Sequence, residues 1–155
     1  MSFQKCVNLD GTLVGNDKPV YVIAEIGQNH NGDIKIAEEL IDVAVKCGAN
    51  AVKFQKRDIP SELTNEAYNA PYINPNSYGK TYGEHREFLE LDEKQHHHLK
   101  KYANNKNITY FCTPCDVPSV ELLERIECPF YKVASRDITN IPLLEKLSTL
   151  KKPVI

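Results

Sequence analysis

The sequence has 155 residues, which is within the usual length of one domain and enough to bury a sizeable core. Hydrophobic residues make up 41% and charged residues 26%, close to the averages of soluble globular proteins, so neither a disordered nor a fibrous protein is indicated. The formal net charge of -2 provides no basic excess for nucleic acid or anionic lipid. We therefore expect no nucleic-acid or membrane partner.

The N-terminal residues contain no apolar run long enough for a signal peptide, and no stretch approaches the length of a membrane span. These patterns favour a cytoplasmic protein. Thiols stay reduced in that compartment, and the cysteine spacing shows no disulfide framework. The cysteines expected to be unpaired are Cys6, Cys47, Cys112, Cys115 and Cys128.

A lead-in over residues 1–19 precedes the first predicted strand. The apolar, β-branched run at 20–26 is typical of a strand buried on both faces of a parallel sheet. Asp33 is placed to cap a helix that ends at Gly48, which completes the first strand–helix unit. The apolar stripe of this helix consists of Ile34, Ala37, Ile41 and Ala44.

Two more strands are predicted at residues 51–55 and 108–112. The second follows a helix that begins near Asp92, where Gln95 completes a pair resembling a capping box. The interval 56–91 is instead a long, proline- and glycine-containing loop. Loops of this length inside a compact domain are usually functional or mobile.

The alternation continues to the end of the sequence. Asp116 begins a helix, residues 130–134 are a fourth predicted strand, Asn140 begins another helix, and a fifth strand starts at 153. Strands alternating with helices indicate α/β structure with a parallel sheet, and the absence of a dinucleotide fingerprint favours a TIM (β/α)8 barrel. Because such a barrel needs roughly 250 residues, residues 20–155 are expected to be its N-terminal half, with about four βα units.

Polar residues stand at or just after the carboxyl ends of the predicted strands, where an unpaired polar group would be costly to bury. On a barrel these positions converge on one cavity. Lysines with hydroxyl donors can hold a phosphate and a carboxylate, and acids can transfer protons or bind sugar hydroxyls. The residues are Glu25, Lys53, Gln55, Thr113, Lys132, Ser135 and Asp137.

Structural roles stay open for these residues taken singly. Lys53 and Lys132 could belong to partly buried ion pairs. Thr113 and Ser135 could cap the helices that follow them, and Glu25 could be a satisfied structural acid. Their shared location favours the functional interpretation.

Four segments, in this order, resemble the sialic acid synthase family. They are AEIGQNHNG at 24–32, KFQK at 53–56, YGKTYGEH at 78–85 and YKVAS at 131–135. The resemblance extends from about Tyr21 to Ile155. Members of this family condense phosphoenolpyruvate with N-acetylmannosamine or a related amino sugar.

The resemblance implies a role for each matching residue. Glu25 would position water or move a proton, and Asp137 would hold the sugar's hydroxyls. With Lys132, they are the expected catalytic residues. The contacts to the phosphate or carboxylate of phosphoenolpyruvate would come from Lys53, Thr113, Lys132 and Ser135, with Gln55 beside them.

Three residues are expected near the sugar substrate. Asp137 stands where many members of the family have glutamate, and Arg136 stands where a small residue is common. Tyr82, in the long loop, would cover the sugar.

The implied reaction joins C3 of phosphoenolpyruvate to the open-chain sugar aldehyde. Water then attacks C2, and phosphate leaves by C–O cleavage. A divalent metal, manganese or magnesium, would polarise the aldehyde, with its ligands beyond residue 155, so no metal ligand is assigned here. The family further implies a homodimer, and the isolated 155-residue segment is expected to be inactive.

Two other functions stay open. The chain could belong to another phosphoenolpyruvate-dependent barrel, of the type making eight-carbon sugar acids. It could also be a non-catalytic half-barrel that binds a ligand or a second polypeptide.

Two local motifs favour structural roles. Cys112 and Cys115 superficially resemble a thioredoxin pair, but Cys112 completes a strand pattern. The histidines at 96–98 point in different directions on a helix, which predicts a solvated face and not a metal site.

Overall fold

A parallel sheet forms the centre of the molecule, which is described by a computed structural model over residues 5–155. The sheet has the order β3-β4-β5. Its strands are β3 (Ile23–Gly27), β4 (Ala51–Lys56) and β5 (Thr109–Pro114), preceded by β1 (Cys6–Leu9) and β2 (Thr12–Gly15). The predicted α/β class with a parallel sheet is therefore confirmed, and the three strands lie within a few residues of their predicted positions.

The fourth and fifth predicted strands are only partly formed. Tyr131 makes isolated parallel bridges to Cys112 on one side and to Val154 on the other. These bridges extend the sheet by single residues and not by continuous ladders. The correction is that residues 130–134 and 153–155 follow the direction of the sheet without forming regular strands. Closure into a barrel stays a prediction.

Four long helices cover the sheet, and each begins where its capping residue predicted. They are α1 (Ile34–Lys46), α5 (Glu93–Asn105), α6 (Val117–Arg125) and α7 (Ile141–Thr149), capped by Asp33, Asp92, Asp116 and Asn140. At α5, Asp92 and Gln95 form a complete capping box. Local hydrogen bonding therefore sets the start of each helix.

The segment between β4 and α5 differs from its predicted loop. It contains three short helices: α2 (Ile59–Glu62), α3 (Asn65–Asn69) and α4 (Tyr82–Leu89). A capping box formed by Thr81 and Glu84 begins α4. That pair was visible in the sequence as a threonine three residues before a glutamate, and it could have predicted the helix.

A β-hairpin precedes the parallel sheet and was missed in the sequence. Strands β1 and β2 pair antiparallel through a turn at Asp10 and Gly11, whose φ angles are 50° and 87°. An Asp-Gly turn with two positive φ angles is a common hairpin connection. Asp10 accepts a hydrogen bond from Thr109, at the start of β5. The hairpin therefore lies at the amino ends of the parallel strands.

Aromatic side chains fill both faces of the sheet. Phe54 and Tyr110 stack with ring centroids 5.1 Å apart on the face covered by α1 and α5. Phe111 and Phe130 pack at 4.3 Å on the other face. Because side chains alternate along a strand, this second face also carries Lys53, which lies opposite Phe111 in the ladder.

The turn after β3 packs tightly against α4. Gly32 has a φ of +77°, and a Cβ atom there would lie 2.3 Å from the carbonyl oxygen of Phe88. The buried His30 accepts a hydrogen bond from the Gly32 N–H. Only glycine fits this approach.

Within residues 5–155, no helix is long and apolar enough to cross a membrane.

Candidate active site

Glu25, Lys53 and Thr113 form a contiguous cluster on one face of the sheet. The Lys53 ammonium lies 2.6 Å from a Glu25 carboxylate oxygen and donates a hydrogen bond to the Thr113 hydroxyl at 3.0 Å. The Lys53 side chain is 5% exposed, whereas that of Glu25 is 55% exposed. The cluster therefore holds a buried positive charge whose counter-charge can move into solvent.

Gln55 lies beside this cluster and is fixed by a residue that the sequence analysis did not single out. Its amide oxygen accepts a hydrogen bond from Arg57 at 3.0 Å, and Arg57 also donates to Gln28 at 2.5 Å. Arg57 therefore links the Gln55 side chain to Gln28, which directly follows β3. Arg57 directly follows the KFQK segment, and that position was the available signal.

Lys132 and Ser135 follow Tyr131, next to β5, but do not join the cluster. The Lys132 ammonium donates to the carbonyl of Val133 at 3.1 Å, and Ser135 is exposed at the start of a 3-10 turn, Ser135–Asp137. Within residues 5–155, neither side chain is hydrogen-bonded to Lys53. The structure therefore brings together only part of the predicted phosphate- and carboxylate-binding set.

The helix-capping alternatives are excluded for both hydroxyl residues. Asp116, and not Thr113, caps α6, and Asn140 caps α7 after Ser135. The ion-pair alternative for Lys53 is confirmed in its geometry, because Lys53 does pair with Glu25. An ion pair at this position is compatible with ligand binding, since Glu25 is half exposed.

Asp137 faces a separate cavity of about 470 Å³, lined also by Ser61, Glu62, Asp116 and Arg136. The Asp137 side chain is buried, and its Oδ2 atom accepts no hydrogen bond from the part of the chain that the structure describes. The same oxygen lies 3.5 Å from Arg136 Nε, which is a charge contact without hydrogen-bond geometry. Because Asp137 lines this cavity, its carboxylate can accept a hydrogen bond from a ligand hydroxyl.

Glu62 is the centre of an ion network that the sequence did not predict. It contacts Arg86 at 2.5 Å, Arg57 at 4.0 Å and Arg136. Burial disfavours the Arg136 charge, but the hydrogen bond to Glu62 and the interactions with Cys115 together outweigh burial and raise the Arg136 pKa. The network connects the β4–α5 segment to the cavity.

Tyr82 joins this network indirectly. Its hydroxyl accepts a hydrogen bond from Arg86, which also pairs with Glu62. Tyr82 begins α4, so its position is fixed by a helix as well as by an arginine. Coverage of a sugar by Tyr82 stays a prediction.

Glu90 anchors the other end of the β4–α5 segment. Its carboxylate accepts hydrogen bonds from Lys56 at 3.3 Å, the Arg57 N–H at 3.1 Å and Gln28 at 2.9 Å. Burial raises the Glu90 pKa, although Lys56 and Arg57 oppose the shift. This second acid holds Arg57 and Gln28 beside Gln55.

The predicted solvated face at residues 96–98 is wrong for His96. His97 and His98 are exposed, but His96 is fully buried, with a ring nitrogen 2.6 Å from the Tyr110 hydroxyl. Burial lowers the His96 pKa to about 3, so its imidazole is neutral. The three residues span two environments because adjacent helical side chains point in different directions.

The Cys112 and Cys115 thiols are not activated for redox chemistry. All five cysteines are free, and burial raises the pKa of both Cys112 and Cys115. Reactive thiols have a lowered pKa, so these two have the opposite character.

Residues 5–155 contain no group of three His, Cys, Asp or Glu side chains placed to hold a metal ion. The described residues therefore do not provide a complete set of metal ligands by themselves.

The fold and the Lys53 cluster define a parallel α/β protein with hydrogen-bonded charged and hydroxyl side chains toward the carboxyl ends of its strands, where α/β enzymes place their active sites. The model of the NeuB family matches residues 40–155. The chain belongs to the NeuB family, and the resemblance to sialic acid synthases found in the sequence is confirmed.

Individual relatives agree with this assignment. The chain is 40% identical over 145 residues to N-acetylneuraminate-9-phosphate synthase of Homo sapiens, a match that covers 94% of this chain and 40% of the relative. It is 37% identical over 139 residues to N,N'-diacetyllegionaminic acid synthase of Campylobacter jejuni, covering 89% and 42%. The chain thus spans about 40% of the length of these relatives.

A solved structure shares the fold. The crystal structure of N-acetylneuraminic acid (sialic acid) synthetase from Leptospira borgpetersenii matches with a TM-score of 0.79 and 32% sequence identity. The match covers 96% of this chain and 48% of that chain.

Proposed function

We propose that the chain is part of a synthase that condenses phosphoenolpyruvate with N-acetylmannosamine or a related N-acetylated amino sugar, releasing phosphate and forming a nonulosonic acid. The observation that carries the proposal is the Glu25–Lys53–Thr113 cluster in a chain of the NeuB family. Relatives named as synthases of N-acetylneuraminate 9-phosphate and N,N'-diacetyllegionaminic acid support this class of product.

In this proposal Lys53 and Thr113 bind the anionic groups of phosphoenolpyruvate. The Lys53 ammonium supplies charge in a site with little water, and the Thr113 hydroxyl supplies a directed hydrogen bond. Gln55, fixed by Arg57, adds an amide beside them. Lys132 and Ser135 complete the set by turning toward the bound anion.

In this proposal the Glu25 carboxylate accepts a proton during the reaction. It is half exposed, and an anion that binds Lys53 would compete with it for the ammonium. The released carboxylate can then take a proton from the water that attacks C2.

The bonds formed and broken balance without an external oxidant or reductant. C3 of phosphoenolpyruvate forms a bond to the aldehyde carbon, and the aldehyde oxygen becomes a hydroxyl. Water adds to C2, the bond between C2 and the bridging oxygen breaks, and phosphate leaves with that oxygen. C2 becomes the ketone of the product.

The proposal includes parts outside the described residues. A divalent metal, manganese or magnesium, would be held by side chains beyond residue 155, and the full-length enzyme would be a cytoplasmic homodimer.

The test is an assay of the full-length protein with phosphoenolpyruvate labelled at the bridging oxygen and a panel of acceptor sugars. We expect label in the released phosphate and turnover with sugars that carry an acetamido group. Exclusive use of acceptors without this group would favour the synthesis of other sugar acids. Ligand binding without turnover would favour the non-catalytic function.

A further inference from the structure

Arg136 connects two parts of the molecule that are distant in sequence. It pairs with Glu62, which is 74 residues away, and with the neighbouring Asp137. Glu62 belongs to the segment after β4, whereas Asp137 follows the extended segment at Tyr131. The Arg136 side chain is 49% exposed and lines the cavity, but its partner Glu62 is only 12% exposed. Arg136 is therefore a half-exposed residue that is held by an ion pair with the nearly buried Glu62.

The Asp137 carboxylate has an incomplete environment. It is 9% exposed, its Oδ2 atom accepts no hydrogen bond, and Arg136 is its one ion-pair partner among residues 5–155. A buried carboxylate oxygen without a donor is costly unless a ligand or water completes it. Arg136 is placed to set the direction of this carboxylate and to balance its charge.

We propose that Arg136, anchored by Glu62, is a positioning residue that aims the Asp137 carboxylate into the cavity and thereby sets the affinity for the acceptor sugar. This inference rests on the proposed function, in which Asp137 binds the sugar's hydroxyls. The Lys53 cluster is outside the lining of this cavity. Lys132 and Ser135, which complete the proposed phosphoenolpyruvate site, are also outside this lining. We therefore expect the affinity for phosphoenolpyruvate to change little when Arg136 is replaced.

Loss of Arg136 leaves the rest of the network in place. Glu62 keeps Arg86 at 2.5 Å and Arg57 at 4.0 Å, so the ion pairs within the β4–α5 segment are retained. The effect of an Arg136 substitution is thus confined to the cavity. This separates a positioning role from a role in folding.

The experiment compares steady-state kinetics of the full-length enzyme and its R136Q, R136K, D137N and R136Q/D137N variants, with each substrate varied in turn. In R136Q we expect the KM for the amino sugar to rise about tenfold, the effect of losing one charged contact, while the KM for phosphoenolpyruvate changes less than about twofold. R136K, which keeps the charge without the planar fork, should lie between R136Q and the wild type.

The double variant tests whether Arg136 acts through Asp137. If it does, adding R136Q to D137N produces no further rise in the KM for the sugar, because coupled residues are non-additive. The matched control is R125Q. Arg125 is also a half-exposed arginine paired with a glutamate, Glu93 at 2.8 Å, but it lies at the end of α6. Its KM values should equal those of the wild type.

The outcomes separate this inference from the proposed function. An unchanged KM for the sugar in R136Q, equal changes in both KM values, or fully additive effects in the double variant would overturn the role of Arg136 alone. Absence of turnover in the wild-type enzyme with every acetamido sugar would overturn the proposed function, and this inference with it.

Discussion

Lys53 and His96 are both buried, but their side chains have different neighbours. The Lys53 ammonium has a carboxylate at 2.6 Å and a hydroxyl at 3.0 Å, which balance its charge. His96 has the neutral Tyr110 hydroxyl as its neighbour, and burial lowers its pKa to about 3. One side chain is suited to binding an anion, and the other is part of the core.

Replacing Lys53 by methionine should reduce function far more than stability. K53M removes one partner of the ion pair, but the Glu25 side chain is 55% exposed and its carboxylate can be solvated instead of staying buried without a partner. We therefore expect the free energy of unfolding to change by about 1 kcal/mol or less. Binding of phosphoenolpyruvate should be lost, because the charge that holds it is gone. Urea denaturation and titration calorimetry of K53M would measure both effects.

The control for this prediction is K94M. Lys94 is exposed on α5, so neither quantity should change. If K53M bound phosphoenolpyruvate with wild-type affinity, Lys53 would not be part of the binding site.

Protonation of His96 should destabilise the protein in acid. Its pKa of about 3 lies below the ordinary value of 6.5, so the folded state favours the neutral form. The resulting stability is fully present above pH 6.5 and is lost as the pH falls toward 3, by up to about 1.4 kcal/mol per pH unit. Urea denaturation from pH 7 to pH 4 would show this slope.

Comparison with H96Q isolates the contribution of this histidine, since glutamine does not titrate and keeps a polar group near Tyr110. The slope should be shallower in H96Q and unchanged in H97Q, because His97 is exposed. Equal slopes in all three proteins would show that another group causes the acid sensitivity.

At the scale of elements, the capping residues do more than begin helices. Asp116 accepts a hydrogen bond from Ser119 N–H, as a helix cap, and a second from Asp58 N–H in the segment after β4. Among residues 5–155, the Asp33 carboxylate accepts only the cap hydrogen bond from Lys35 N–H. Asp116 therefore connects α6 to the segment that carries Glu62.

D116A should destabilise the protein more than D33A. Loss of a cap alone costs about 1 kcal/mol, and the partly buried Asp58 N–H left without its acceptor adds about 1 kcal/mol. Chemical denaturation of both variants is the measurement. Equal losses would mean that the Asp58 contact contributes nothing to stability.

At the scale of the whole molecule, the three-stranded sheet has an edge at β3, which pairs only with β4 in the described chain. Its other side continues through the single-residue bridges at Tyr131 and Val154. Unpaired strand edges favour association with other chains. The half-barrel proposed from the sequence would cover these edges with further strands.

The isolated 155-residue chain should therefore show no turnover of phosphoenolpyruvate and an acetamido sugar, whereas the proposed function predicts turnover by the full-length protein. We expect size-exclusion chromatography to show self-association of the isolated chain. Turnover by a monomeric 155-residue chain would contradict both the half-barrel and the proposed metal ligands beyond residue 155.

The sequence by itself determined the features that depend on nearby residues. Helix caps join residues two or three positions apart, so Asp33, Asp92, Asp116 and Asn140 were predicted correctly. Strand patterns likewise placed the polar residues at the carboxyl end of the sheet. The Asp10-Gly11 turn and the Thr81–Glu84 capping box were equally local, and they were missed although their patterns were present.

Only the tertiary structure decided which distant side chains meet. Lys53 and Thr113 are separated by 60 residues and Glu62 and Arg136 by 74, so their contacts depend on how the sheet and the β4–α5 segment pack. The burial of His96 depends in the same way on the docking of α5 against the sheet. Residue type and spacing specify the local hydrogen bonds, but long-range charge pairs form only where packing brings their atoms within a few ångströms.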